Sequence, residues 1–306
     1  MPALDANGLR LEYETFGSGE PIVLIMGLGA QLLLWDENLC RDLASRGFQV
    51  IRFDNRDIGK STWLDHLGKP DVRRALLRAA TKRRVESPYT LSDMSDDVIG
   101  LLDALGLDRA HVVGASMGGM IAQTLAIEHA DRLMSMTSIM SGPGGLRYML
   151  GRPYALRALL GKPPRTRDEA MEASVRIFQT IGGDYPLEEE RLRQRAGACW
   201  DRGTHPAGFA RQFTAILASG SRLGALRSVR IPSLIIHGTR DPLVPPRAGA
   251  ATARAIPDAT MLWIEGMGHF LPRPMWPRML NAIEALARSA RGLGPSSGPN
   301  RVISSA

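Results

Sequence analysis

The sequence predicts an α/β protein built on a largely parallel sheet that is interrupted by a block of helices. Three observations carry this reading. Short apolar, β-branched runs recur along the chain, bounded by Gly, Pro or Asp; stretches with helical spacing alternate with them; and the strand signal stops at Ser141, to resume only at Ile231. With 306 residues, 44% apolar and 23% charged, the chain has the length and composition of a packed globular protein.

Strands are expected at Leu9 to Thr15, Ile22 to Met26, Gln49 to Phe53, Ala110 to Val113, Met134 to Met140, Ser233 to His237 and Thr260 to Glu265. Helices are expected near Leu34 to Ser45, Leu91 to Leu105, Met117 to His129, Ala248 to Ala255 and Met275 to Ala290. The second of these has the clearest start. Thr90 and Ser92 offer capping hydroxyls, Asp93 follows where the helix dipole favours an acid, and Met94, Val98, Leu101, Leu102 and Leu105 form one buried stripe.

Residues 141–230 offer four amphipathic helices separated by Pro and Gly, with a capping box at Thr166 and Glu169. Because strands resume afterwards, the segment reads as a helical cap inserted into the sheet domain. The domain plan is therefore 1–140 for the first part of the core, 141–230 for the cap, 231–290 for the second part of the core and 291–306 for a disordered tail. The aromatic and large apolar residues of the cap, Met149, Leu150, Tyr154, Phe178, Trp200, Phe209 and Phe213, suit an apolar pocket, although internal packing is the plainer role for most of them.

Charge and cysteine content narrow the function classes. Met1 to Glu14 carries four charged residues rather than a basic end and an apolar run, so a cytoplasmic location is expected. The uncharged stretch Pro21 to Trp35 has only 15 residues and two glycines, which argues against stable membrane insertion. The 2 cysteines, Cys40 and Cys199, supply neither a disulfide framework nor a four-ligand zinc site. The net charge of +7 is densest between Arg73 and Arg84, a plausible helix with few aromatics for base stacking, so no nucleic-acid partner is expected. A solvated surface helix is the plain reading there, and a weak membrane-surface contact is the alternative.

The chemistry concentrates in Val112-Val113-Gly114-Ala115-Ser116-Met117-Gly118-Gly119, a G-x-S-x-G between an expected strand and an expected helix. Alone, the pattern also suits a tight glycine turn. Between strand and helix it puts Ser116 at a strained corner, with small neighbours allowing close approach, and places Met117 N–H at a helix start where negative charge is favoured. A serine hydroxyl needs a base. Of the 6 histidines, His269 follows the last expected strand in Gly266-Met267-Gly268-His269, where a loop carries it over the sheet's carboxyl edge. His66, His111, His129 and His205 lack that placement, and His237 lies near the right edge but precedes Asp241 by only four residues.

Asp241, in His237-Gly238-Thr239-Arg240-Asp241-Pro242, supplies a carboxylate on another strand-end loop, whereas the loop Ser141-Gly142-Pro143-Gly144-Gly145 holds no acid. The order Ser, Asp, His results. Leu28 N–H, in Met26-Gly27-Leu28-Gly29, is the second expected oxyanion donor beside Met117 N–H. Two lookalike motifs fail. The run from Gly27 to Leu32 lacks the third glycine of a dinucleotide fingerprint, and Gly59-Lys60-Ser61 has Asp54 where a phosphate loop needs glycine.

With the loops at Met26 to Gly29, Arg52 to Ser61, Ser116, Asp241 and His269 in place, the chain resembles the α/β-hydrolase superfamily from about residue 8 to 290. The Asp54-Asn55-Arg56-Asp57-Ile58-Gly59-Lys60-Ser61 run and Gly266-Met267-Gly268-His269 are similar to the aclacinomycin methylesterase-like and bacterial carboxylesterase branch. The resemblance implies a sheet of about eight strands, a helical cap, no cofactor, and hydrolysis of a small-molecule carboxylic ester through an acyl-serine. Met26 departs from it, standing where many relatives have histidine. Ser116 separates the chain from branches whose elbow nucleophile is aspartate. A lactonase, a carbon–carbon bond hydrolase or a cofactor-free perhydrolase would use the same three residues, and a ligand receptor with little turnover would use the same fold.

Overall fold

The computed structural model describes residues 1–149, 151–291 and 302–303. Leu150 and most of the 291–306 tail lie outside them, as does the Met149 side chain. The first half of the core runs β1 (Ala3–Ala6), β2 (Leu9–Phe16), β3 (Glu20–Ile25), α1 (Glu37–Ala44), β4 (Phe48–Phe53), α2 (Val72–Ala80), α3 (Leu91–Ala104), β5 (Ala110–Ala115), α4 (Met117–Glu128) and β6 (Leu133–Ile139). Five helices follow without a strand: α5 (Leu146–Met149), α6 (Pro153–Leu159), α7 (Arg167–Ile181), α8 (Glu189–Arg202) and α9 (Pro206–Ala218). The core then resumes with β7 (Ser233–Gly238), α10 (Pro246–Ala255), β8 (Thr260–Ile264) and α11 (Trp276–Arg291), and Val302–Ile303 forms a short β9.

The strands make one sheet in the order β1-β2-β4-β3-β5-β6-β7-β8-β9. β1 and β2 pair antiparallel to each other, β2 antiparallel to β4, and the other ladders are parallel. Apolar side chains alternate across the pleat, so one strand feeds two cores. Val23 and Ile25 join the cluster under α3, α4 and α10, whereas Ile22 and Leu24 join the cluster under α1 and α11. The sequence order reverses between β3 and β5, since β4 lies on one side of β3 and β5 on the other. In sheets of this kind ligands usually sit outside the carboxyl ends of the strands at such a reversal.

Several expected bounds shift for local reasons. α1 starts at Glu37 because the Asp36 side chain accepts from Asn38 N–H and so caps it, while Leu32–Leu34 forms a separate 3-10 turn. β1 was not expected, because Ala3-Leu4-Asp5-Ala6 has no β-branched residue; it forms by pairing with β2. Among the described residues the 141–230 segment holds five α-helices where four are expected, α5 being a single turn. Within the expected tail, the described residues Val302 and Ile303 pair with Met261 and Leu262 as a strand. Among the described residues no helix is long and apolar enough to cross a membrane.

Candidate active site

Ser116 sits at the corner where β5 turns directly into α4, with φ 56° and ψ −117°. A non-glycine residue holds that conformation only when its surroundings enforce it. The enforcement is close packing. A methyl at Gly114 would collide with the Gly118 carbonyl, and one at Gly118 with the Ile25 carbonyl, so both glycines are required by contact. The corner is fastened from behind as well: Ser116 N–H donates to Ile139 O at 2.9 Å, and the Ser141 hydroxyl donates to Ser116 O at 2.7 Å.

The Met26–Gly29 loop leaves β3 beside this corner. A methyl at Gly27 would lie 3.1 Å from Ser116 Cβ and 3.7 Å from its Oγ, so the loop passes directly over the serine. Met117 is the first residue of α4, and its N–H is one of the donors a helix start leaves without an intrahelical acceptor. Leu28 follows Gly27 in the overlying loop. The next residue is held, since Gly29 N–H donates to Gln212 Oε1 at 2.9 Å while Gln212 Nε2 donates to Arg56 O at 2.8 Å. Gln212 lies on α9 and is fully buried, so the inserted segment takes part in fixing this loop.

Ser116, His269 and Asp241 come from three strand ends and meet in one hydrogen-bonded row. Ser116 Oγ is 3.0 Å from His269 Nε2, and His269 Nδ1 is 2.7 Å from Asp241 Oδ2. The other oxygen of Asp241 accepts from Leu243 N–H and Val244 N–H, each at 2.9 Å, which aims the carboxylate. His269 and Asp241 are 7% and 4% exposed, so the row is shielded from bulk water on the acid side.

His237, the other histidine near this edge, is fully buried, and its Nε2 donates to Val244 O at 2.9 Å. Its Nδ1 has no partner among the described residues and is packed against Gly249. Burial holds its imidazole below the usual histidine range, against the opposing pull of Asp241. It is a neutral wall behind the aspartate. His111 pairs with the Ser135 hydroxyl, His129 with Asp96, and His205 stacks on Trp63 with ring centroids 4.3 Å apart. Burial pushes the Cys40 and Cys199 thiols up to about 12, which leaves both unreactive. Among the described residues no three His, Cys, Asp or Glu side chains gather to hold a metal ion.

Two features that sequence reasoning missed tie the helical insertion to this site. The first is a strip of backbone pairing between the end of α7 and the His269 loop. His269 N–H donates to Ile181 O at 2.6 Å, Gly268 N–H to Gly182 O at 2.9 Å, and Asp184 N–H to Gly266 O at 2.8 Å. The approach is close because Gly183 (φ 83°) and Gly268 face each other without side chains. The Gly182-Gly183 pair ending an amphipathic helix was the visible signal.

The second is buried charge in the Asp54–Ser61 loop. Arg211 of α9 donates to both Asp57 oxygens at 2.8 and 2.7 Å, with neither side chain exposed. Burial pushes the Asp57 carboxyl up, but hydrogen bonds from Arg211, Leu64 N–H and the Tyr89 hydroxyl outweigh it and hold the group below the usual carboxylate range. Asp54 binds Leu32 N–H, Lys60 N–H and Arg202, so the glycine-lysine-serine run serves as structural lining. Of the aromatics in the insertion, Phe213 is buried against Ala75 and Leu217, Phe178 packs near Ile181, and Tyr154 is exposed. Phe209 rests on Gly29, where a methyl would crowd its ring.

Residues 20–272 match the family described as alpha/beta hydrolase fold. The chain is 28% identical over 291 residues to the rhodomycin D methylesterase DnrP of Streptomyces peucetius, covering 88% of this chain and 91% of that one. It is 27% identical to a 2-hydroxy-6-oxononadienedioate/2-hydroxy-6-oxononatrienedioate hydrolase of Paraburkholderia phymatum, covering 86% and 85%. Among solved structures, a meta-cleavage product hydrolase from Pseudomonas fluorescens superposes with a TM-score of 0.72 at 20% identity, over 95% of this chain and 98% of that one. A family match over most of its length, with a serine at the strand-to-helix corner beside the point where the strand order reverses, places this chain in the α/β-hydrolase family.

Proposed function

We propose that this protein is a serine hydrolase that cleaves carboxylic esters of small to medium, largely apolar substrates. The observation that carries the reading is the unbroken row from Ser116 Oγ through His269 to Asp241, at 3.0 and 2.7 Å. Ser116 attacks the ester carbonyl while His269 Nε2 takes its proton, and Asp241 holds the Nδ1–H tautomer and steadies the imidazolium. The carbonyl oxygen becomes an oxyanion held by Leu28 N–H and Met117 N–H. Donors of this kind are worth about 3–4 kcal/mol each in the transition state. The intermediate collapses, the alcohol leaves with the proton from His269, and an acyl-serine remains. Water, deprotonated by His269, then releases the acid and restores Ser116.

Apolar substrates suit the residues around the oxyanion loop. Leu28 is only partly buried and Phe209 lies on the neighbouring Gly29, so hydrocarbon flanks this loop on the side of α9. In this reading residues 141–230 form the cap of the site. The methylesterase likeness favours ester cleavage over the carbon–carbon reading, and a panel of p-nitrophenyl esters, lactones and vinylogous diketones separates them. The direct test is labelling with a fluorophosphonate and mass spectrometry of the modified peptide. The label is expected on Ser116 and lost in Ser116→Ala, which should also abolish ester turnover with little change in the melting curve. Turnover retained by Ser116→Ala would overturn the proposal.

A further inference from the structure

We propose that the exposed face of α2, with the turn that follows it, docks this protein on the surface of an anionic phospholipid bilayer. The first observation is where the charge lies. Lys69 to Arg84 holds seven cations and one acid, a net +6 within 16 residues, against +7 for the whole chain. The rest of the molecule is close to neutral. Many arginines elsewhere are held in ion pairs, as at Arg52, Arg56, Arg132 and Arg211, and the others are scattered rather than gathered in one segment. In this segment only Arg78 is paired, with Glu86 at 3.2 Å; Lys69, Arg73, Arg74, Lys82, Arg83 and Arg84 are exposed, with no ion pair among the described residues.

The second observation is how the helix is divided. Ala75, Leu76 and Ala79 pack on Phe213 and Leu217 of α9, which fixes the helix on the body. The opposite face carries Arg73, Arg74, Leu77 and Thr81 at three- and four-residue spacing. At 65%, Leu77 is the most exposed large apolar side chain of the described residues, and it lies in the middle of that cationic face. An apolar side chain ringed by arginines fits a partner that is anionic at its surface and hydrocarbon just beneath, as a bilayer of acidic lipids is. A nucleic acid offers the charge but has nothing for Leu77 to bury in.

The third observation concerns helix stability. Arg73 and Arg74 occupy the first turn of α2, where the helix dipole disfavours cations. Their presence does not serve the fold. Replacing them by glutamine is thus expected to leave the melting temperature unchanged or slightly higher.

The experiment is flotation of the purified full chain with vesicles of phosphatidylcholine alone or with 30 mol% phosphatidylglycerol, at low salt and at about 0.5 M salt, where the Debye length is below 5 Å. Flotation is expected only with the anionic vesicles and only at low salt. Each neutralised cation is expected to reduce partitioning about five-fold, so R73Q/R74Q loses about 25-fold. Leu77→Ser, with every charge retained, loses on the order of ten-fold. Equal flotation on neutral vesicles, indifference to R73Q/R74Q, or indifference to Leu77→Ser would each overturn the proposal. Retardation of the protein by duplex DNA without any vesicle binding would do the same. Because flotation does not depend on turnover, a failure here is distinct from a failure of the esterase reading.

Discussion

The backbone strip between α7 and the His269 loop makes Gly183→Ala an informative substitution. Gly183 has a φ of 83°, where alanine is strained by about 1 kcal/mol. Its new methyl would stand 3.0 Å from Gly268 Cα and closer still to Gly266 O and Gly268 N. Carbon atoms settle at about 3.5–4.0 Å, so Gly268 has to recede by about 0.5–1 Å. His269 is the next residue, and it meets Ser116 Oγ through a 3.0 Å contact. A displacement of 1 Å at a reacting group costs about 100-fold in rate. We therefore expect kcat for p-nitrophenyl acetate to fall about 30- to 100-fold with KM within about three-fold, while stability to urea drops by only about 1–2 kcal/mol. Single-turnover acylation is the assay, because it reads proton transfer from Ser116 without deacylation. A variant that acylates within two-fold of the parent would refute the idea that the helical insertion positions the histidine. An equal loss in urea stability and rate would assign the effect to folding.

Other expectations follow from buried groups. Arg211→Met strands the Asp57 carboxylate in the core and should cost about 3–5 kcal/mol in urea unfolding. Much of that loss should be recovered in Asp57→Leu/Arg211→Met; a single-variant cost under about 1 kcal/mol would contradict the pairing. Gln212→Leu removes the acceptor for Gly29 N–H and the donor to Arg56 O, and should lower kcat about ten-fold by loosening the loop that carries the proposed oxyanion donor Leu28. Unchanged kcat would show that Gly27 and Leu28 hold their place without it. His111 and His237 both have imidazoles held below the usual histidine range, chiefly by burial. The unfolded chain therefore binds protons that the folded chain refuses, so stability is full above about pH 6.5 and declines as pH falls below it. Each histidine contributes at most about 1.4 kcal/mol per pH unit, and His237→Gln should flatten the decline measured by thermal melts between pH 6.5 and 5.

The meeting of Ser116, Asp241 and His269 at one edge was legible because each lies within a few residues of a strand end, and local patterns reveal strand ends well. Ser116 follows β5 directly, Asp241 comes three residues after β7, and His269 five after β8. Parallel strands point their carboxyl ends the same way, so three local readings converge on one edge. The same logic fails where placement depends on distant partners. Nothing near Gln212 says that it will meet Gly29, 183 residues earlier, and Arg211 and Asp57 are 154 residues apart. An arginine in an amphipathic helix reads locally as surface, yet Arg211 is fully buried. β1 escaped notice for the opposite reason: its residues have little strand preference, and the ladder with β2 supplies it.

The insertion is riveted to the sheet domain at two walls, by the backbone strip at Ile181–Asp184 and by Arg211 and Gln212 on α9. As the proposed cap of the site, a segment fastened twice would act as a sieve of set mesh, since lifting either edge strands an ion pair or backbone donors. Across a homologous series of acyl chains, rates through such a sieve fall in one step at a threshold length. A hinged lid would instead let them decline by degrees.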